Sequence, residues 1–167
     1  METKTALDIL KTAILLEKRG KAFYETVAAK TDDPDVKKIF SIMAEEEQLH
    51  IEFLSEHYLQ YQKKGKFDKV SIRAKADESV ANMVLDKTIT KRISAAGFEA
   101  AAISAAIDME NKAIEVYSTR AKESTDPEEK ELYQFLADWE KGHHKILNDL
   151  NEELKEKIWY DNQFWPF

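Results

Sequence analysis

The chain has 167 residues, no cysteine, only 3 prolines and 4 glycines, 34% charged residues and a net charge of −7. Its length is that of one ordinary domain, able to bury roughly two-thirds of its unfolded surface without staples. The missing cysteine excludes a disulfide framework, a zinc knuckle, a thiolate iron site and thiol catalysis, the scarcity of turn residues argues against an all-β sandwich, and the acidic balance argues against nucleic acid as a partner.

No apolar run approaches the ~18 residues of a membrane span. The start, Met1-Glu2-Thr3-Lys4, lacks the apolar core of a signal peptide. The expectation is a cytoplasmic helical protein with no membrane partner.

The first helix is expected from about Ala6 to Lys30. Ile9, Ala13, Leu16, Phe23 and Val27 fall near a 3.6-residue period, with Glu17 and Tyr24 on or beside that face. Thr31-Asp32-Asp33-Pro34 stops it, and Asp33 before a proline is a strong start signal for the next helix. The second helix carries Val36, Ile39, Phe40, Met43, Leu49, Phe53 and Leu54 and fades by Gly65. From Gly65 to about Ile93 the pattern is less regular, with a short helix over Asp77–Asp86. A third helix is expected from about Ser94 to Glu123. Ser124-Thr125-Asp126-Pro127 repeats the earlier stop-and-start signal, and a fourth helix continues to about Lys155. The bundle is expected to occupy residues 1–157. The tail, residues 158–167, is dense in aromatics and is expected to pack on the bundle or on a partner subunit, which favours a homodimer over an exposed apolar patch.

An internal repeat organises the chain. Displaced by 93 residues, Ala13–Leu54 lies on Ala106–Leu147 without a gap, and 13 of 42 positions are identical. Helical composition explains matched Ala or Lys. It does not explain matched Glu17/Glu110, Tyr24/Tyr117, Asp33-Pro34/Asp126-Pro127, Glu47/Glu140 and His50/His143 in one register. The chain is two copies of one helical hairpin. The connection of about 30 residues between them can run the length of a helix at ~3.3 Å per residue. An all-α four-helix bundle with one long crossover follows, its hairpins related by a pseudo-two-fold axis.

Each copy offers one Glu on its first helix and Glu-x-x-His on its second: Glu17 with Glu47 and His50, then Glu110 with Glu140 and His143. The i, i+3 spacing puts Glu and His on one helix face, and Met43, Leu54, Leu136 and Leu147 place that face on the apolar stripe. Four buried carboxylates cost several kcal/mol each and repel one another. Two divalent cations cancel their charge, and two neutral imidazoles add ligands without adding charge. Glu45, Glu46 and Asp138 are read as solvated, His57 as an ordinary polar contact near a helix end, and His144 as a surface or interface residue.

This pattern, a Glu from each of two helices and Glu-x-x-His from the other two, resembles the ferritin-like di-iron or di-manganese carboxylate proteins. Glu17 with Tyr24 seven residues later, Glu47-x-x-His50, Glu110 with Tyr117 seven later, and Glu140-x-x-His143 place the resemblance in the rubrerythrin branch, over roughly Ala6 to Lys155. The resemblance implies that Glu17 and His50 hold one metal, Glu110 and His143 the other, and that Glu47 and Glu140 bridge. Tyr24 and Tyr117 would donate hydrogen bonds to ligand carboxylates across the bundle. It implies two iron ions per chain, with di-manganese an alternative. The implied activity is redox chemistry with peroxide or dioxygen, supplied by an external electron donor such as a rubredoxin-type protein. Iron handling by ferroxidase or storage chemistry and oxygenation of an organic substrate are the alternatives. Two departures stand out. There is no cysteine-rich rubredoxin domain. The additional helix-three Glu of rubrerythrins, which trades places with a histidine on redox change, is here Ala113, and its repeat equivalent is Gly20.

Overall fold

The structure of the chain, a computed structural model, describes residues 5–70 and 97–161. Four helices account for most of them: α1 (Ala6–Lys30), α2 (Pro34–Lys64), α3 (Phe98–Glu123) and α4 (Pro127–Asp161), with no strand among the described residues. The helix expected over Asp77–Asp86 and the tail residues 162–167 lie outside the described residues, as does the expected start at Ser94. Within them α3 begins at Phe98, after Gly97. The fourth helix runs past Lys155 to Asp161, because nothing between those positions breaks a helix.

The stop-and-start signals act through side-chain caps. Asp33 Oδ1 accepts hydrogen bonds from the N–H groups of Asp35 (3.0 Å) and Val36 (3.1 Å). Asp126, its repeat equivalent, accepts from Glu128 (2.9 Å) and Glu129 (3.2 Å). Each cap satisfies donors that a helix start otherwise leaves open. Thr5 and Asp8 form a capping box on α1. Gly65 closes α2 at φ 68°, a left-handed conformation that glycine adopts without a Cβ penalty.

Cross-bundle contacts fix the topology. Tyr24 reaches Glu110, and Tyr117 reaches Glu17, so α1 and α3 lie side by side and antiparallel. Glu46, His50 and Phe53 of α2 meet His143, Glu140 and Phe135 of α4 in descending order, so this pair is antiparallel too. The short loops make α1–α2 and α3–α4 antiparallel hairpins. Helices α2 and α3 therefore point the same way, and the chain leaves α2 at one end of the bundle and enters α3 at the other. This is the long crossover of a ferritin-like bundle.

The apolar core forms two clusters, one toward each end. One holds Tyr24, Ala28, Ile39, Phe40, Met43, Ile103, Ala106 and Leu147. The other holds their repeat equivalents Tyr117, Ala121, Leu132, Tyr133, Leu136, Leu10, Ala13 and Leu54. The pseudo-two-fold axis exchanges the clusters. Each fully buried large side chain contributes about 1.5–3 kcal/mol, and the two apolar ends together hold the polar layer between them. Leu49, one of the apolar residues of α2, is 39% exposed, since it shares a helix face with the exposed Glu45 and Glu52.

Candidate metal centre

The polar layer at mid-bundle consists of Glu17, Glu47, His50, Glu110, Glu140 and His143, none more than 3% exposed. Each lies on the apolar stripe of its own helix, so folding the stripe inward carries the polar group with it. Ligand atoms of Glu17, Glu47, His50 and Glu140 lie within 4.8 Å of one another, as do those of Glu47, Glu110, Glu140 and His143. The two groups share Glu47 and Glu140, the two positions expected to bridge.

Both imidazoles turn Nδ1 toward the carboxylates. His50 Nδ1 is 3.2 Å from Glu17 Oε2, 3.3 Å from Glu47 Oε2 and 3.0 Å from Glu140 Oε1. His143 Nδ1 is 3.1 Å from Glu140 Oε2 and 3.4 Å from Glu110 Oε1. Several of these approaches are too poorly aligned to be hydrogen bonds. Both Glu140 oxygens and His143 Nδ1 are buried with no hydrogen-bond partner. Buried polar atoms are ordinarily paired. Oxygen and imidazole donors converging without pairing suit divalent metal ions, either iron or manganese by ligand type.

The electrostatics fit the same reading. Burial, reinforced by the charge of Glu140, pushes Glu47 well above the usual carboxylate range. Burial and Glu140 likewise raise Glu110 to about 8. Burial opposes charge on His50, but Glu140, Glu17 and Glu47 outweigh it and lift the imidazole well above its ordinary value. Burial is outweighed at His143 by Glu110, Glu140 and Glu46. Burial also opposes the charge on Glu140, and the two imidazoles hold it well below the usual range. The raised values of Glu47, Glu110, His50 and His143 mark a cluster that favours added positive charge.

Two tyrosines brace the carboxylates from across the bundle. The Tyr24 hydroxyl donates to Glu110 Oε1 and the Tyr117 hydroxyl to Glu17 Oε1. Burial, then the charge of Glu110, raises Tyr24 well above the usual phenol value and keeps it a donor.

The family model for rubrerythrin matches residues 8–151 of this chain. The chain belongs to the rubrerythrin family. Neither a curated protein nor a solved structure matches it. Membership of the rubrerythrin family and the Glu/His cluster together indicate a carboxylate protein with a two-metal site.

A cleft of about 320 Å³ opens beside the cluster between α1 and α3. Leu16, Gly20, Met109 and Ala113 form its apolar walls, and Glu17, Glu47 and Glu110 line its inner end. Arg19 and Lys112, equivalent positions in the two repeats, flank it. The small residues at 20 and 113 keep it open. A Cβ at Gly20 would lie 3.2 Å from Glu47 Oε1.

Glu46 corrects the reading of it as solvated. It is 5% exposed, and its Oε2 accepts from Trp139 Nε1 at 2.8 Å and from His143 Nε2 at 2.5 Å. A signal existed: Glu46 lies three residues after Met43 and four before His50, on the inward face. Trp139, its partner, carries no comparable signal in the sequence. Glu45 and Asp138 are exposed as expected, and His144 is half-buried. His57 is buried against Phe53, ring centroids 4.8 Å apart, and lies outside both ligand groups. No helix among the described residues is long and apolar enough to cross a membrane.

Proposed function

We propose that Glu17, Glu47, His50, Glu110, Glu140 and His143 hold two iron ions per chain, and that the protein is a redox enzyme reducing peroxide or dioxygen with electrons from an external donor. The observation that carries this reading is the pair of ligand groups overlapping at Glu47 and Glu140. Bound as Fe(II), the iron pair supplies the electrons that reduce the oxidant. Tyr24 and Tyr117 hold the Glu110 and Glu17 carboxylates in place. The cleft admits a small oxidant, while Leu16 and Met109 make its approach apolar. These 167 residues hold no cysteine that could bind an electron-transfer iron, and a donor of rubredoxin type is the proposed source of electrons.

The test is the metal content and optical spectrum of anaerobically purified protein, followed through one addition of peroxide or dioxygen. Two irons per chain and a spectral change complete within that addition are expected. A di-ferrous protein inert to both oxidants, or a chain that retains only zinc, overturns the assignment.

The cleft supports a second reading. Its volume reaches the lower end of ordinary ligand pockets, which suits oxidation of a small organic substrate at the same centre. Oxidant consumption driven by an organic compound, with no added reductant, would favour it. A homodimer is also proposed. Trp159, Tyr160, Phe164, Trp165 and Phe167 concentrate five aromatics at the chain's end, and deleting residues 158–167 should shift the solution mass toward monomer or cause aggregation. A truncated dimer of unchanged affinity rejects it.

A further inference from the structure

The repeat makes the six ligands symmetric, but the groups behind the two imidazoles are not. His143 presents Nδ1 to the carboxylates and its opposite nitrogen, Nε2, to Glu46 Oε2 at 2.5 Å. The pseudo-two-fold axis would carry this contact onto position 139 and His50. Position 139 is a tryptophan. Its ring meets the His50 ring edge-on, centroids 4.6 Å apart at 84°. An indole N–H donates and cannot accept, and this one is already committed to Glu46 at 2.8 Å. His50 Nε2 is buried with no hydrogen-bond partner.

An imidazole that binds a metal through Nδ1 carries its proton on Nε2. A carboxylate accepting that proton's hydrogen bond fixes the ring and makes it a better ligand. His143 has such a carboxylate, and His50 has an aromatic ring instead. Trp139 contributes to the difference twice. It withholds an acceptor from His50, and its N–H steadies the Glu46 oxygen that supports His143.

We infer that Glu46 is a positioning residue that makes the two metal positions inequivalent, the Glu110/His143 position binding first and more tightly than the Glu17/His50 position. The inference rests on the two-metal reading above. Its consequence is a half-loaded state with one defined occupant.

The experiment is anaerobic titration of the metal-free full-length chain with Fe(II), enriched for Mössbauer spectroscopy and paired with calorimetry. Wild type should show two binding steps, with one quadrupole doublet up to one equivalent and a different doublet appearing only afterwards. Glu46→Ala should weaken the first step by about 10–100-fold, leave the second unchanged and fill both positions together. Glu46→Gln keeps the side-chain volume and a neutral acceptor, and should fall between. Trp139→Phe keeps the ring against His50, so its two steps should stay separate. Glu45→Gln, at an exposed neighbour, should match wild type. Two identical steps in wild type, or equal weakening of both steps in Glu46→Gln, overturn the inequivalence. A wild-type chain that binds fewer than two Fe(II) overturns the two-metal reading instead.

Discussion

Arg120 grips Glu129 with two nitrogens, Nε at 2.9 Å and Nη2 at 2.6 Å, where the other hairpin has Val27 and Val36. Glu129 is buried and also accepts from Ser124 Oγ at 2.6 Å. One sequence position has thus been filled in two ways: an apolar pair near one end of the bundle and an ion pair near the other.

The ion pair's contribution to stability is testable by exchanging it. Removing Arg120 alone strands a buried carboxylate, and Arg120→Ala should cost about 3 kcal/mol. The double variant Arg120→Val, Glu129→Val copies the other hairpin and should lie within about 1 kcal/mol of wild type, or above it. Denaturant unfolding of the three proteins measures this. A double variant as unstable as the single one would mean the pair is irreplaceable.

Gly20 lies against Glu47, a proposed bridging ligand. Helix propensity alone favours Gly20→Ala by about 1 kcal/mol. The added Cβ meets Glu47 Oε1 at 3.2 Å and Cδ at 3.4 Å, so the carboxylate must give way. The metal-free variant should therefore be as stable as wild type or slightly more so, while metal affinity falls about ten-fold. Thermal melts and metal titration separate the two effects. Unchanged affinity would show that Glu47 moves freely.

Tyr24 and Tyr117 are equivalent braces, and their loss should be equivalent. Tyr24→Phe and Tyr117→Phe each leave a buried carboxylate oxygen with one donor fewer, at a cost of about 1–2 kcal/mol. The metal position weakened should be the one on the opposite helix, that of Glu110 for Tyr24 and of Glu17 for Tyr117. Equal loss at both positions in each variant would contradict this cross-bundle assignment.

Protons and metals compete for the same cluster. Glu47, Glu110, His50 and His143 all have raised pKa values when the chain is folded. Such groups add stability that is complete below their unfolded values and is lost as pH rises through the folded ones, which for Glu110 is about 8. Glu140 acts in the opposite sense, its contribution being lost only as pH falls below the usual carboxylate range. The metal-free chain should therefore lose stability from about pH 4.5, the unfolded carboxylate value, up to and beyond about pH 8, and the metal-bound chain much less. Metal loading should release protons and tighten with pH. Melts across that range and pH-stat titration are the measurements, and proton-free metal uptake would refute this account.

The sequence by itself determined the helices, their Asp caps, the repeat and the six proposed ligands. All of these depend on spacing along the chain: a cap bonds its own first turn, Glu-x-x-His shares one face, and a matched register requires only a matched pattern. The tertiary structure decided what happens near the pseudo-two-fold axis. There the rings of His50 and His143 face each other 5.9 Å apart, and Glu46 meets its own repeat equivalent, Trp139. No periodicity along one helix shows that two unlike residues at equivalent positions will touch. Glu46 looks like one acidic residue in the run Glu45-Glu46-Glu47. Its burial depends on how far α2 is rotated against α4, and that rotation is set by the packing of both apolar clusters at once. The cleft between α1 and α3 has the same origin, because two small residues open a path only when the fold sets their helices side by side.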